Sequence, residues 1–147
     1  MSDVLLRLDR VTMQFGGLKA VSDLDLEVTA GSLFGLIGPN GAGKTTVFNL
    51  ITGVYAPTGG SITFEQHPIH GLRPSAIARR GITRTFQNIR LFGSRTCRDN
   101  VCIAQHQHAR AGILDAVLRT RKFAADERAM QDRAQELLEV MGLGEWG

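Results

Sequence analysis

No apolar run in this 147-residue chain approaches the ~20 residues needed to cross a bilayer. The longest, around Leu33-Phe34-Gly35-Leu36-Ile37-Gly38, is far too short. The start, Met1-Ser2-Asp3-Val4-Leu5, has no basic stretch ahead of an apolar one. No secretory leader is therefore expected, and a cytoplasmic location is the default. Cysteine is scarce: Cys97 and Cys102 fall on different faces of one helix-patterned segment, so no mutual disulfide is expected and they read as small apolar residues. Proline is scarce too, at four residues, and no low-complexity tract occurs, which argues against a disordered tail. Basic residues outnumber acidic ones by 17 to 14, but they are scattered, with no run of four. Direct nucleic-acid binding is not expected from that distribution.

What is present is a globular composition, 43% apolar and 21% charged, in a chain long enough for one ordinary domain. Leu6, Leu8, Val11, Met13 and Phe15 are spaced as on a strand, with a slip near Asp9-Arg10, and Gly16-Gly17 reads as a turn. Leu24-Asp25-Leu26-Glu27-Val28 alternates strictly, so these two segments are expected to pair antiparallel. Ala30-Gly31-Ser32 turns the chain, and Leu33 to Ile37 predicts a short strand covered on both faces. Val47, Leu50 and Ile51 predict a helix from Lys44 to Thr52, stopped by Gly53. Pro57 to Gly60 reads as a turn and Ser61 to Phe64 as a strand. Pro74 to Arg80 reads as a short helix ended by Gly81, and Ile82 to Phe86 as a further strand.

The back half reads as helical. Thr96 and Asp99 have the spacing of an N-cap and its reciprocal acid, which starts a helix running to about His108. A second helix is expected over Ile113 to Arg121. A third runs over Ala125 to Met141, with Met130, Ala134, Leu137, Leu138 and Met141 as its apolar stripe and Gly142 as its stop.

Chemistry concentrates at Gly38-Pro39-Asn40-Gly41-Ala42-Gly43-Lys44-Thr45, which fits G-x-x-x-x-G-K-[ST]. Chance gives that pattern in about one chain in two hundred of this length, and here it sits between an apolar stretch and a helical one. Glycines let successive N–H groups point inward at an anion, and the helix start adds its positive dipole end. Lys44 offers a cation to the β- and γ-phosphates of a nucleotide, Thr45 a hydroxyl to Mg²⁺, and Thr46 reaches the α-phosphate. No Asn-Lys-x-Asp guanine-reading motif occurs.

With Thr46 included, the loop resembles the Walker A motif of ATP-binding-cassette (ABC) proteins. Phe15 matches the aromatic that stacks on adenine in that family, the plainer alternative being a core aromatic at a strand end. Gln87, in Arg84-Thr85-Phe86-Gln87, matches the glutamine that touches Mg²⁺ and the attacking water; a plain surface glutamine is the alternative. Lys44 and Gln87 are the implied catalytic residues. Phe15, Gly38, Asn40, Gly41, Ala42, Gly43, Lys44, Thr45 and Thr46 are implied to bind ATP, and Thr45 and Gln87 to hold Mg²⁺.

Phe15-Gly16-Gly17-Leu18-Lys19-Ala20-Val21, Thr52-Gly53 with Pro57-Thr58-Gly59-Gly60, Arg84-Thr85-Phe86-Gln87 and Ala104-Gln105-His106-Gln107 are similar to the ATP-binding subunits of branched-chain amino-acid importers. Thr96-Cys97-Arg98-Asp99-Asn100 is a variant of the usual helix start in that group.

The resemblance implies an α/β fold of the P-loop NTPase kind, ABC type. A β-rich part with a central P-loop strand and helix would occupy residues 1–95, and a helical subdomain residues 96–147. It implies as partners a second ATP-binding subunit, two membrane permeases and a periplasmic or lipid-anchored solute-binding protein, at the cytoplasmic face of the inner membrane. Alternatives are an importer of urea or another amino acid, a nucleotide-binding module without catalysis, and an ABC ATPase of DNA repair or translation.

Three family features have no counterpart here: the Leu-Ser-Gly-Gly-Gln signature, four apolar residues ending in Asp-Glu, and a switch histidine. Ile113-Leu114-Asp115 is too short for the second, and His67, His70, His106 and His108 read as surface residues. The chain is accordingly expected to be the N-terminal part of a longer protein. It is expected to have an incomplete core and to be unable to hydrolyse ATP alone.

Overall fold

The computed structural model describes residues 4–85, 91–106 and 112–146. They belong to two compact units, Met1–Thr85 and Phe86–Gly147.

In the first unit, strand β1 (Val4–Phe15) pairs antiparallel with β2 (Leu18–Thr29) across the Gly16-Gly17 turn. The slip expected at Asp9-Arg10 is a β-bulge. Leu8 lies opposite Leu26 and Val11 opposite Leu24, so β1 takes three steps where β2 takes two. Arg10 adopts φ 45° there, and its N–H donates to Asp25 Oδ1 at 2.7 Å. The extra residue returns Val11 and Met13 to the face that Leu8 uses, and all three are buried.

Helix α1 (Lys44–Ile51) follows, then β3 (Gly59–Phe64) and a two-residue β4 (His67–Pro68). The sheet order is β2-β1-β3-β4, antiparallel throughout. Gly59 and Gly60, read as part of a turn, belong to β3 because Gly59 pairs with Thr12. Helix α2 (Pro74–Arg79) starts at its proline and ends just before Arg80-Gly81. The core joins Leu8, Val11, Met13, Val21 and Ile62 of the sheet to Val47 and Leu50 of α1, Ile69, and Ile77 of α2.

Two predicted strands are not formed. Leu33 to Ile37 and Ile82 to Thr85 are not hydrogen-bonded into the sheet, and Phe86 lies outside the described residues. The central P-loop strand is therefore corrected to a stretch without strand pairing. Leu33 and Ile37 are 103% and 92% exposed, and only Leu36 packs partly against the core. An apolar run supplies strand propensity, but a strand exists only where a neighbour completes its ladder.

In the second unit, α3 (Cys97–Gln105) starts on the reciprocal Thr96–Asp99 cap. The expected extension to His108 enters residues outside those described. The second expected helix is shorter: α4 (Ile113–Val117) ends before Arg119, which takes φ 47°. Thr120 then caps α5 (Arg121–Val140), its hydroxyl accepting from Phe123 N and donating to Asp115 Oδ1. Asp115 also accepts from Gly112 N at 3.0 Å. This backbone bond, then the Thr120 bond, holds its pKa below the usual carboxylate value.

Helix α3 lies along α5, where Gln105 Nε2 and the Cys102 thiol reach Met130 O and Arg98 donates to Gln135. The expected apolar stripe of α5 is only partly covered. Ala134 and Leu138 are buried, whereas Leu137 and Met141 are 37% and 74% exposed. Its main neighbour, α3, and the short flanking turns shield the narrow i, i+4 row and not the wider stripe. A 3-10 turn, Gly144–Trp146, follows. Both cysteines are free, Cys97 exposed and Cys102 half-buried. Burial first, then the Asp99 carboxylate, pushes the Cys102 thiol pKa up. His67, His70 and His106 are exposed, as expected; His108 lies outside the described residues.

Candidate functional site

The loop Gly38 to Gly43 leads straight into α1. Gly41 and Gly43 take φ 85° and 82°, the left-handed region that glycine enters without a Cβ penalty. Gly43 is the residue preceding the first helical turn, and a Cβ there would run into the Ala20 carbonyl of β2. The loop is thus pressed onto the sheet at one glycine. Ala42 N donates to Pro39 O at 3.2 Å and Val47 N to Gly43 O at 3.0 Å, closing the turn and starting the helix. The first turn of α1 carries no acidic residue, so nothing on the helix itself opposes an anion at its N-terminus.

Lys44 folds back over the loop. Its Nζ donates to Gly38 O at 2.6 Å and to Pro39 O at 2.7 Å. Asn40, Gly41, Ala42 and Thr45 are exposed, and Gly43, Lys44 and Thr46 half-buried. Among the described residues no cluster of three or more His, Cys, Asp or Glu could hold a metal ion. Thr45 supplies a hydroxyl, which fits a Mg²⁺ that keeps several waters and takes its other ligands from phosphate.

Phe15 ends β1 and is 42% exposed. Its ring meets that of Tyr55 edge to face, with centroids 5.2 Å apart and planes at 77°. Tyr55 lies outside the motifs of the sequence. Gln87 lies outside the described residues. Arg84, in the same short segment, donates to Asn49 Oδ1 of α1 at 2.7 Å and sits over the Phe48 ring at 5.6 Å. Lys44, Asn49 and Phe48 share one helix, so α1 touches both the loop and the segment approaching Gln87. Tyr55 belongs to no motif of neighbouring residues, and an aromatic shortly after a P-loop helix is the signal that points to it; Arg84 lies in the Arg84-Thr85-Phe86-Gln87 motif, but its contact with α1 depends on residues far away in the chain.

A family model described as "ABC transporter" matches residues 21–146. The chain is 46% identical over 143 residues to the high-affinity branched-chain amino acid transport ATP-binding protein LivG of Salmonella typhimurium, covering 97% of this chain and 56% of that protein. It is 44% identical over 146 residues to BraF of Pseudomonas aeruginosa, which bears the same description, covering 99% of this chain and 57% of BraF. Among solved structures, it superposes on the ADP conformation of MJ1267, an ATP-binding cassette of an ABC transporter. The TM-score is 0.77 at 29% identity, covering 97% of this chain and 56% of the other. A nucleotide-free ATP-binding cassette gives a TM-score of 0.76 at 29% identity over the same shares. The chain spans about half the length of the curated relatives it matches.

Proposed function

This chain belongs to the ABC transporter family, and from that premise we propose that it serves as the ATP-binding, energy-coupling part of an importer of branched-chain amino acids. The observation that carries the reading is 46% identity to LivG across 97% of the chain, P-loop included. The loop geometry supports it: a helix start without an acid in its first turn, two left-handed glycines, and a lysine reaching back over the loop.

In this reading ATP is held by Gly38, Asn40, Gly41, Ala42 and Gly43 through their backbone. Lys44 gives its ammonium to the terminal phosphates and Thr46 reaches the α-phosphate. Thr45, with Gln87, holds Mg²⁺, and the adenine stacks on Phe15. Bound Mg²⁺ supplies charge neutralisation on the phosphates, and Lys44 and Gln87 are the residues of this chain assigned to catalysis. Residues 1–95 form the nucleotide-binding part and 96–147 a helical subdomain. The partners are a homologous ATP-binding subunit, transmembrane permeases and an external solute-binding protein. The site of action is the cytoplasmic face of the inner membrane, held peripherally. No helix among the described residues is long and apolar enough to cross a membrane.

The test has two parts. The purified chain is expected to bind labelled ATP with Mg²⁺, and Lys44→Ala to weaken that binding on the order of 10–100-fold, the worth of charged hydrogen bonds; unchanged affinity would remove the assignment. Deleting the encoding gene is expected to abolish high-affinity uptake of labelled leucine, isoleucine and valine. Loss of urea or another amino acid instead would move the solute.

The sequence holds neither a signature motif nor an apolar run ending in Asp-Glu. On that observation the 147-residue chain alone binds ATP–Mg²⁺ without turnover. P-loop-dependent hydrolysis by it would overturn this.

A further inference from the structure

We propose that Tyr55 is a positioning residue of the nucleotide-base site, holding the Phe15 ring where a purine can stack on it. The inference rests on the nucleotide-binding reading above and adds a residue outside every motif of that reading.

Phe15 is the last residue of β1, beside the Gly16-Gly17 turn, and is 42% exposed. A phenylalanine at an open hairpin end has little to fix its ring plane. Tyr55 supplies a constraint through the edge-to-face contact at 5.2 Å and 77°, a geometry favoured by ring quadrupoles. Whichever ring gives the edge, the contact uses at most one face of Phe15. A base stacks on a face, so the pair leaves a platform with a defined tilt.

The same tyrosine ties that platform to the phosphate loop. Val54 N and Tyr55 N both donate to Asn49 O of α1, at 2.9 and 3.2 Å. The turn that launches them is fixed by Gly53, at φ 72°, where a Cβ would collide with Ile77 and the Leu72 carbonyl. Tyr55 is therefore carried by the helix whose other end is the P-loop. A second route runs through the sheet. Gly43 presses on Ala20 of β2, and β2 begins at Leu18, paired with Phe15. Base platform and phosphate loop are thus held in register from both ends of α1.

The experiment compares ATP with tripolyphosphate, which has the phosphates and no base, by calorimetric titration with Mg²⁺. Wild type, Phe15→Ala, Tyr55→Ala, Tyr55→Leu, Tyr55→Phe and the double variant Phe15→Ala with Tyr55→Ala are titrated. Tyr55→Ala is expected to weaken ATP binding about threefold to tenfold, the range of an aromatic pair, and to leave tripolyphosphate affinity unchanged. Tyr55→Leu should behave like Tyr55→Ala, and Tyr55→Phe should keep wild-type affinity. With Phe15→Ala already present, Tyr55→Ala should add nothing.

Equal loss for ATP and tripolyphosphate, or unchanged ATP affinity in the leucine variant, overturns the proposal and leaves the Lys44 reading standing. A Tyr55→Phe variant as weak as Tyr55→Leu also overturns it. Should Tyr55→Ala lose its circular-dichroism signal, the leucine and phenylalanine variants decide alone. A wild-type chain that binds neither ligand defeats the nucleotide reading itself, and this inference with it.

Discussion

The two units are held together by different physics. In the first, nine buried side chains from five sheet and helix elements and one loop converge on one core. In the second, the buried apolar side chains among the described residues are Ala134 and Leu138. Leu114, Val117, Leu118, Val140 and Met141 are each more than 70% exposed. The second unit instead relies on side-chain capping at Thr96 and Thr120 and on a few polar contacts between α3 and α5. Burial at ~25 cal/mol per Å² outweighs caps worth about 1 kcal/mol each. Rigidity near the P-loop is therefore expected from the first unit, and local opening from the second.

The largest effect that would break this contrast lies in the core. Leu8→Ala is expected to cost ~2–5 kcal/mol, because Leu8 is 1% exposed between two strands and α1. Leu138→Ala should fall at or below the bottom of that range, since its few neighbours can close over the gap. Urea midpoints of the two variants measure this, and equal losses would refute the contrast.

Next comes Gly43→Ala, which combines a left-handed backbone with a collision at the Ala20 carbonyl. A cost of ~1–3 kcal/mol is expected, together with weaker ATP binding as the loop lifts off β2. Thermal melting and nucleotide titration on one sample separate the two effects.

The smallest effect sharpens the picture of the second unit. Thr96→Ala removes one half of a reciprocal cap and should cost ~0.5–2 kcal/mol. Hydrogen exchange should then speed up at Asp99 and Asn100, with β1 and β3 unaffected.

Much of the site could be read without a fold. The glycine-rich loop pattern, the Gly53 stop and the Thr96 cap are each decided by residues within a few positions of one another, whereas the slip at Asp9-Arg10 shows in the spacing of β1 and is completed by Asp25 of β2. What failed did so for two reasons, one non-local and one local. Leu33 to Ile37 and Ile82 to Thr85 have strand composition, but pairing belongs to two segments at once. Arg119 and Thr120 divided a continuous helical pattern because Thr120 bonds both Asp115 and Phe123.

The sequence by itself determined that a glycine-rich loop opens a helix behind an antiparallel hairpin, because glycine freedom, capping and alternation act locally. Only the tertiary structure decided which apolar runs became strands, that Ile69 and Ile77 complete the core, and that Tyr55 meets Phe15. Those outcomes depend on contacts between residues far apart in the chain, which no local pattern encodes.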